Sequence, residues 1–330
     1  MPASPKRGLL LARVRLCARL LLACACVLLP ARASAADAVG VEPVRVSAHV
    51  WYVQGRPGPA SAANRGYNSN AGFVVTPEGV VVIDALGTPA LGHALLAAIR
   101  SVSALPVRRV IVTHYHADHF YGLAAFKAAG ADIWAHQAAR EYLDGAEAQA
   151  RLEQRRRVLA PWVDDTTQLL PPDRWLDGDS AFVLGGMHFD LMYMGPAHAP
   201  DDLVVVVRED QVLFSGDIMF SGRVPFVGSA DSRRWLAAMD QLLRLQPKAM
   251  VPGHGAVSRD PAADLAFTRD YLRYLRASMG KAAEEMLPFD EAYRQTDWDR
   301  YRNMPAFDAA NRVNAYGTYL LMERELLEKK

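Results

Sequence analysis

The chain has 330 residues, 51% of them apolar, with 37 basic and 36 acidic side chains and three cysteines. That is enough apolar chain to bury a sizeable core, and it is too apolar and too evenly charged for a disordered or fibrous protein.

Residues 1–35 differ in kind from the rest. Lys6, Arg7, Arg13, Arg15 and Arg19 precede an apolar stretch at 20–29, followed by Pro30 and the small-residue triplet Ala33-Ser34-Ala35. This order predicts a secretory signal peptide cleaved after Ala35, and hence a periplasmic or secreted protein. A bilayer span takes about 20 apolar residues. Extending the stretch backwards to that length would enclose three arginines, so no integral membrane anchor is expected. Leu22-Ala23-Cys24 loosely matches a lipidation site, but Arg19 lies five residues upstream, where such signals are apolar. Cys17, Cys24 and Cys26 all fall in this leader, together with six basic residues and no acidic one. The remaining chain thus has no disulfide, no thiolate ligand and no cysteine nucleophile. It carries 31 basic and 36 acidic residues, a net charge of about −5, which argues against nucleic acid as a partner.

Beyond the leader, strand-like and helical runs alternate. Residues 44–53, 72–75 and 80–83 read as strands, the last two joined by a turn at Thr76-Pro77-Glu78-Gly79. Between the first two lies GRPGPASAANRGYNSN, 55–70, whose composition predicts a long loop too polar to pack; loops of this length are often mobile or functional. A helix at 89–102, a buried strand at 109–112, a helix at 123–129 and a strand at 132–135 follow. Residues 137–159 read as helical, with the charged stretch 151–157 forming a solvated face. Strands are then expected at 181–184, 188–194, 203–207 and 211–214, a helix at 232–245 and an apolar strand at 249–251. From 261 to 330 the pattern is mostly helical, interrupted near Pro288 and Pro305. Two strand-rich halves with helices between them favour sheets packed on each other, helices outside.

The chemistry-bearing residues sit behind these strands. His114, His116, Asp118 and His119, in THYHADH, follow the apolar run 107–112; His198, in GPAHAPDD, follows 188–194; Asp217, in FSGD, follows 211–214; His254, in VPGHG, follows 249–251. If those strands share an edge, five histidines and two aspartates converge just past their C-terminal ends. Packing alone gives no reason to crowd three imidazoles and a carboxylate behind a buried strand, whereas imidazole and carboxylate are ordinary zinc ligands. Alternate residues of an extended segment point the same way, so His114 and His116 can share one metal. A turn at Ala117 lets Asp118 and His119 face a second. His198 would complete the first site and His254 the second, with Asp217 bridging. The same ligands accept zinc, iron or manganese.

In order and spacing, THYHADH, GPAHAPDD, FSGD and PGHG resemble the metal motifs of the metallo-β-lactamase fold hydrolases, and NAGFVVTPEGVVVIDAL resembles that family's opening strands. The resemblance covers roughly 41–258. It implies an α/β fold, an αββα sandwich with two zinc ions at one edge of its sheets, with His114, His116 and His198 on the first metal. Asp118, His119 and His254 would hold the second, Asp217 lying between. Asp84, in VVVID, looks like the family's outer aspartate near the metal loop, or else a strand-end cap. The domain organisation expected is a signal peptide at 1–35, the sandwich at 36–260, and a helical segment at 261–330 packed on it. GDIMFSGRVPFVGSADSRRW and the leader look most like the quinoprotein-relay-system zinc metallohydrolases.

The activity implied is hydrolysis of a small-molecule thioester, lactone, ester or β-lactam by a metal-bound hydroxide, with Asp118 orienting it. β-Lactamase subclasses with a cysteine on the second metal are excluded, because no cysteine follows Cys26. The subclass with Asp, His and His on that metal stays open, although it lacks a bridging aspartate like Asp217. Glyoxalase II-like thioesterases share all seven ligands, but their glutathione-binding basic cluster is not seen in the helical tail. The alternatives from other classes are a mononuclear iron oxidoreductase resembling the persulfide dioxygenases and a non-catalytic metal-dependent binding protein. Pocket walls are expected from 55–70, 220–228 and the C-terminal helices, with Arg223 either clamping an anion or solvated. Oligomeric state is not legible.

Overall fold

The computed structural model describes Met1 and residues 40–328. The expected leader, its cleavage site and its cysteines lie outside the described residues. Among the described residues, no helix is long and apolar enough to cross a membrane.

The first sheet contains β1 (Val44–Arg45), β2 (Val50–Val53), β3 (Ala71–Thr76), β4 (Gly79–Ile83), β5 (Val107–Ile111), β6 (Asp132–His136) and β7 (Arg174–Leu176), neighbours in chain order. β1 to β4 form an antiparallel meander, after which β4 to β7 run parallel. Parallel strands need crossovers, supplied here by α1 (Pro89–Val102), then α2 (Ala117–Phe120) with α3 (Leu123–Ala128), then α4 (Ala139–Asp144) with α5 (Ala146–Val158). Thr88 caps α1 by accepting the Leu91 amide at 3.2 Å, and Pro89 occupies the first turn, where a missing N–H costs nothing. β4 reads GVVVI without alternation and is buried throughout, because both faces of the sheet are covered.

The second sheet has the order β12-β11-β10-β9-β8, built from β8 (Ser180–Leu184), β9 (Met187–Tyr193), β10 (Leu203–Val207), β11 (Val212–Phe220) and β12 (Ala249–His254). Only the pairing of β11 with β12 is parallel, and α6 (Ser232–Arg244) makes that crossover. α7 (Pro261–Glu284), α8 (Phe289–Gln295) and α9 (Phe307–Glu328) follow.

Three apolar layers hold these elements together. Between the sheets, Val74, Ile83 and Ile111 meet Phe189, Val205 and Phe214. On the outer face of the first sheet, Val82 and Val110 pack with Leu91 and Leu95 of α1 and Phe126 of α3. On the outer face of the second, Val204 and Leu213 pack with Trp235 of α6 and with Leu272 and Leu275 of α7. The architecture is an αββα sandwich with additional C-terminal helices on the second sheet.

Several expectations change in detail. The run 44–53 is a tight hairpin, its turn closed by the Val46 amide donating to the Val50 carbonyl at 2.8 Å. Residues 137–159 break at Gly145 into α4 and α5. β7, only three residues long, had no run long enough to register. The segment 55–70 is not too polar to pack, since residues 66–70 are buried. β11 does not stop at Phe214: register shifts at Gly216, whose φ is +50°, carry it on to Phe220.

Candidate metal centre

All seven candidate ligands come together at one end of the sheets. His114 follows β5, and His116 is the N-cap of α2, whose first turn presents Asp118 and His119. His198 follows β9 on a short turn. Asp217 and His254 were expected past their strands. Instead Asp217 lies within β11, turned inward by the bulge, and His254 is the last residue of β12.

Two groups of ligand atoms result. His114, His116, His198 and Asp217 offer one set, Asp118, His119 and His254 another, and within each the atoms lie within 4.8 Å of one another. His116 Nδ1 and His198 Nε2 converge to 2.9 Å. Asp217 stands between the sets: Oδ2 is 3.3 Å from Nε2 of both His198 and His254 and 3.8 Å from His114 Nε2, while Oδ1 is 3.3 Å from His119 Nε2. Nε2 of His114 and His119 and Oδ1 of Asp217 are buried without a hydrogen-bond partner. Buried polar atoms are rarely left so. Buried imidazole nitrogens aimed at a carboxylate fit divalent cations, which would satisfy them all at once.

A surrounding layer fixes which nitrogens are bare. His114 Nδ1 lies 3.0 Å from Thr113 Oγ1, which donates to Asp84 Oδ2 at 2.8 Å. His119 Nδ1 lies 2.8 Å from the same oxygen, and the Thr113 amide donates to Asp84 Oδ1 at 2.8 Å. Asp84 is thus both a strand-end cap and the holder of two rings. Its φ of +63° is one aspartate tolerates better than most residues, and it turns the carboxylate back toward the centre. His254 Nδ1 donates to the Asn68 carbonyl at 2.7 Å. With Nδ1 so occupied, Nε2 of all three rings faces inward.

Burial and mutual charge set the protonation states. Burial pushes His116 down to about 4 and His198 to about 3, and His114 well below the usual imidazole range, so these rings are neutral and hold lone pairs at neutral pH. Burial would lower His119 as well, but the Asp217 and Asp84 carboxylates outweigh it and raise this ring well above its ordinary value. Burial would raise Asp118 and Asp217, yet the adjacent His119 and His254 hold both below the ordinary carboxylate range.

The segment 55–70 contributes more than a wall. Asn68 donates to Asp118 Oδ2 at 3.0 Å, Ser69 Oγ donates to the Asp118 carbonyl at 2.5 Å, and Asn70 Nδ2 donates to the Pro252 and Gly255 carbonyls at 2.8 Å each. Thr113, Asn68, Ser69 and Asn70 were not foreseen; for Thr113 the available signal was its place directly before His114.

A cavity of about 600 Å³ opens onto the centre, within the usual small-molecule range of about 300–1,000 Å³. His116, Asp118, His198, Asp217 and His254 form its floor. Arg223 is on its wall and buried, donating to the Gly58 carbonyl at 2.9 Å, so it is not a solvated charge. The solvated-face reading of 151–157 also fails in part, because Arg151 and Arg155, one helical turn apart on α5, line the cavity and are half-buried.

Fold and site together define an αββα sandwich with a buried cluster of histidines and aspartates at the end of its sheets that could hold metal ions. The metallo-beta-lactamase superfamily model matches residues 64–254, and the chain belongs to that superfamily. It is 24% identical over 242 residues to a linear primary-alkylsulfatase of Pseudomonas sp., a match covering 62% of this chain and 45% of that one. Among solved structures, a metallo-beta-lactamase from Pontibacter korlensis superposes with a TM-score of 0.55 at 23% identity, covering 71% of this chain and 99% of its own. A stereoselective inverting sec-alkylsulfatase from Pseudomonas sp. superposes with a TM-score of 0.65 at 19% identity, covering 85% and 50%. The chain therefore spans about half the length of either alkylsulfatase. At such identities the superpositions speak for the fold alone.

Proposed function

We propose that the protein is a dinuclear metallohydrolase, exported to the periplasm or beyond, that cleaves a thioester, lactone, ester or lactam with water. The position of Asp217 between two ligand sets carries this reading: its two oxygens reach histidines of both. In this reading His114, His116 and His198 hold one ion, Asp118, His119 and His254 the other, and Asp217 bridges. Zinc suits these ligands, as do iron and manganese. Bound there, such ions lower the pKa of coordinated water from 15.7 to about 7 and polarise the oxygen under attack. Two complete ligand sets favour this over a mononuclear iron oxygenase, and an open cavity above them favours an enzyme over a passive binding protein.

The chain's own residues do the rest. Asp118 is the catalytic carboxylate, facing the cavity with Asn68 fixing one oxygen, so that it orients the attacking water. His198, Asp217 and His254 on the floor are buried, which strengthens the charge interactions among them. The sequence likeness to a linear primary-alkylsulfatase favours sulfate esters as a second reading. Assaying a panel of lactam, lactone, thioester, ester and alkyl sulfate substrates tests both readings. Turnover of a carbonyl compound that disappears in Asp217→Ala supports the first, and turnover of the sulfate alone supports the second. Activity that survives Asp217→Ala with metal content intact would refute the bridging role.

A further inference from the structure

We infer that the substrate is an anionic amphiphile, its apolar chain lying on α9 and its negative group facing Arg151 and Arg155. The inference rests on the hydrolase reading above, since it assigns the substrate of that same site.

The first observation is an apolar stripe that stays half-exposed, Tyr316 touching only the Phe289 ring of α8 among the described aromatic side chains. α9 turns Ala310, Ala315 and Tyr319 into the core with α7. A second row, Val313, Tyr316 and Leu320, remains 51%, 48% and 39% exposed. Spacings of three and four residues place these side chains on one helical face. All three line the cavity whose floor is the metal centre, with Phe226 and Ala309 continuing the surface inward. Isolated exposed apolar side chains need no explanation, but a row leading into a catalytic cleft is a place for apolar ligand.

The second observation is charge without a partner. Arg151 donates to Gln154 Oε1 at 2.8 Å, the nearby Glu153 and Asp165 pair with Arg156 instead, and among the described residues no ion pair involves Arg151 or Arg155. Arg155 Nε is buried and makes no hydrogen bond. Glu147 shares this wall, but it is exposed and pairs with neither arginine. A guanidinium with unused donors at the wall of a cavity is suited to an oxyanion. One wall that takes an aliphatic chain and another that takes an anion together describe an amphiphile, with either a sulfate or a carboxylate as its charged group.

Calorimetric titration of the metal-loaded protein below micellar concentrations tests this without turnover. The probes are octyl sulfate, octanoate, butyl sulfate and 1-octanol. One site per chain is expected for an eight-carbon anion, with butyl sulfate at least tenfold weaker, since each buried methylene adds to affinity. Leu320→Glu or Tyr316→Glu, both at exposed positions, should weaken the eight-carbon anion at least tenfold and leave butyl sulfate unchanged. Arg151→Ala combined with Arg155→Ala should weaken the anions at least tenfold and leave 1-octanol unchanged. Binding of octyl sulfate alone marks sulfate as the charged group; binding of octanoate alone marks carboxylate. Octyl and butyl sulfate binding within threefold of each other would overturn the inference. So would wild-type affinity in both glutamate variants. Hydrolysis of the substrate panel without amphiphile binding sinks this inference only, whereas amphiphile binding without hydrolysis of any panel member sinks the hydrolase reading and leaves the amphiphile a ligand of the cavity and not its substrate.

Discussion

His119 differs from His114, His116 and His198 in being held protonated by its surroundings in the absence of metal. Two carboxylates, Asp217 and Asp84, raise its pKa well above the ordinary imidazole value despite burial, whereas His114, His116 and His198 are pushed down and neutral. A proton held at pH 7 must leave before Nε2 can take a cation, so metal binding and proton release are linked. Titrating zinc into metal-free protein at pH 7 in two buffers of different ionisation enthalpy should show release of about one proton attributable to this ring. No release would mean that His119 is already neutral. In the opposite direction, pKa values near 4 and 3 for His116 and His198 extend their neutral range downward, so these two ligands resist acid until the pH approaches 4. Asn68 gives a second test at this scale. Its amide holds Asp118 and its carbonyl holds His254, but Asn68→Ala removes only the first contact. Removing an outer partner of this kind typically costs about 10–100-fold in activity or metal affinity. Steady-state kinetics beside metal analysis should find kcat falling within that range while both metals are retained, and an unchanged kcat would show that Asp118 needs no such support.

Two elements meet at Gly253, and there the site depends on a missing side chain. β12 runs parallel to β11 so closely that a Cβ on Gly253 would stand 1.9 Å from Asp217 Oδ1. Gly253→Ala must displace Asp217 or spread the strands; overpacking of this kind costs about 1–3 kcal/mol. The variant should lose metal although no ligand has changed, as plasma mass spectrometry would reveal, and a fully loaded variant would show that β11 can yield. α9 acts on the cavity in a similar indirect way. Asn314 accepts the Val227 amide at 2.7 Å and donates to the Pro225 carbonyl at 2.7 Å and to Tyr271 Oη at 2.9 Å, tying the 221–231 loop to two helices. Asn314→Ala would leave those buried groups unpaired, a loss of about 1–3 kcal/mol. It should lower the midpoint of thermal unfolding and raise KM more than it lowers kcat, because the loop is wall and not floor. Equal loss in kcat would place the loop in the reaction itself. Neither contact is legible in the sequence: PGHG suggests a turn beside a ligand, but the strand partner that makes its glycine obligatory lies 36 residues away.

At the scale of the whole molecule, what could be read from the chain was what is local. Apolar runs such as 80–83 and 107–112 announce buried strands because both faces of each sheet are covered, and THYHADH announces a metal loop because no other role needs that crowding. The segment 55–70 reads as too polar to pack because its partners are distant, the Asn70 side chain donating to the Pro252 carbonyl and the Asn68 carbonyl accepting from the His254 ring, and composition cannot report a partner about 185 residues away. Arg151 and Arg155 belong to a run that reads as solvated because their neighbours Glu153 and Arg157 are in fact exposed; only the tertiary placement of α5 separates the two kinds. The central claim, that one chain carries two cations across Asp217, is tested most directly by metal content joined to anomalous diffraction at the metal edge. Two ions per chain are predicted, one among His114, His116 and His198 and one among Asp118, His119 and His254, with Asp217 touching both. A single ion in fully loaded protein, or two that Asp217 does not join, would contradict it.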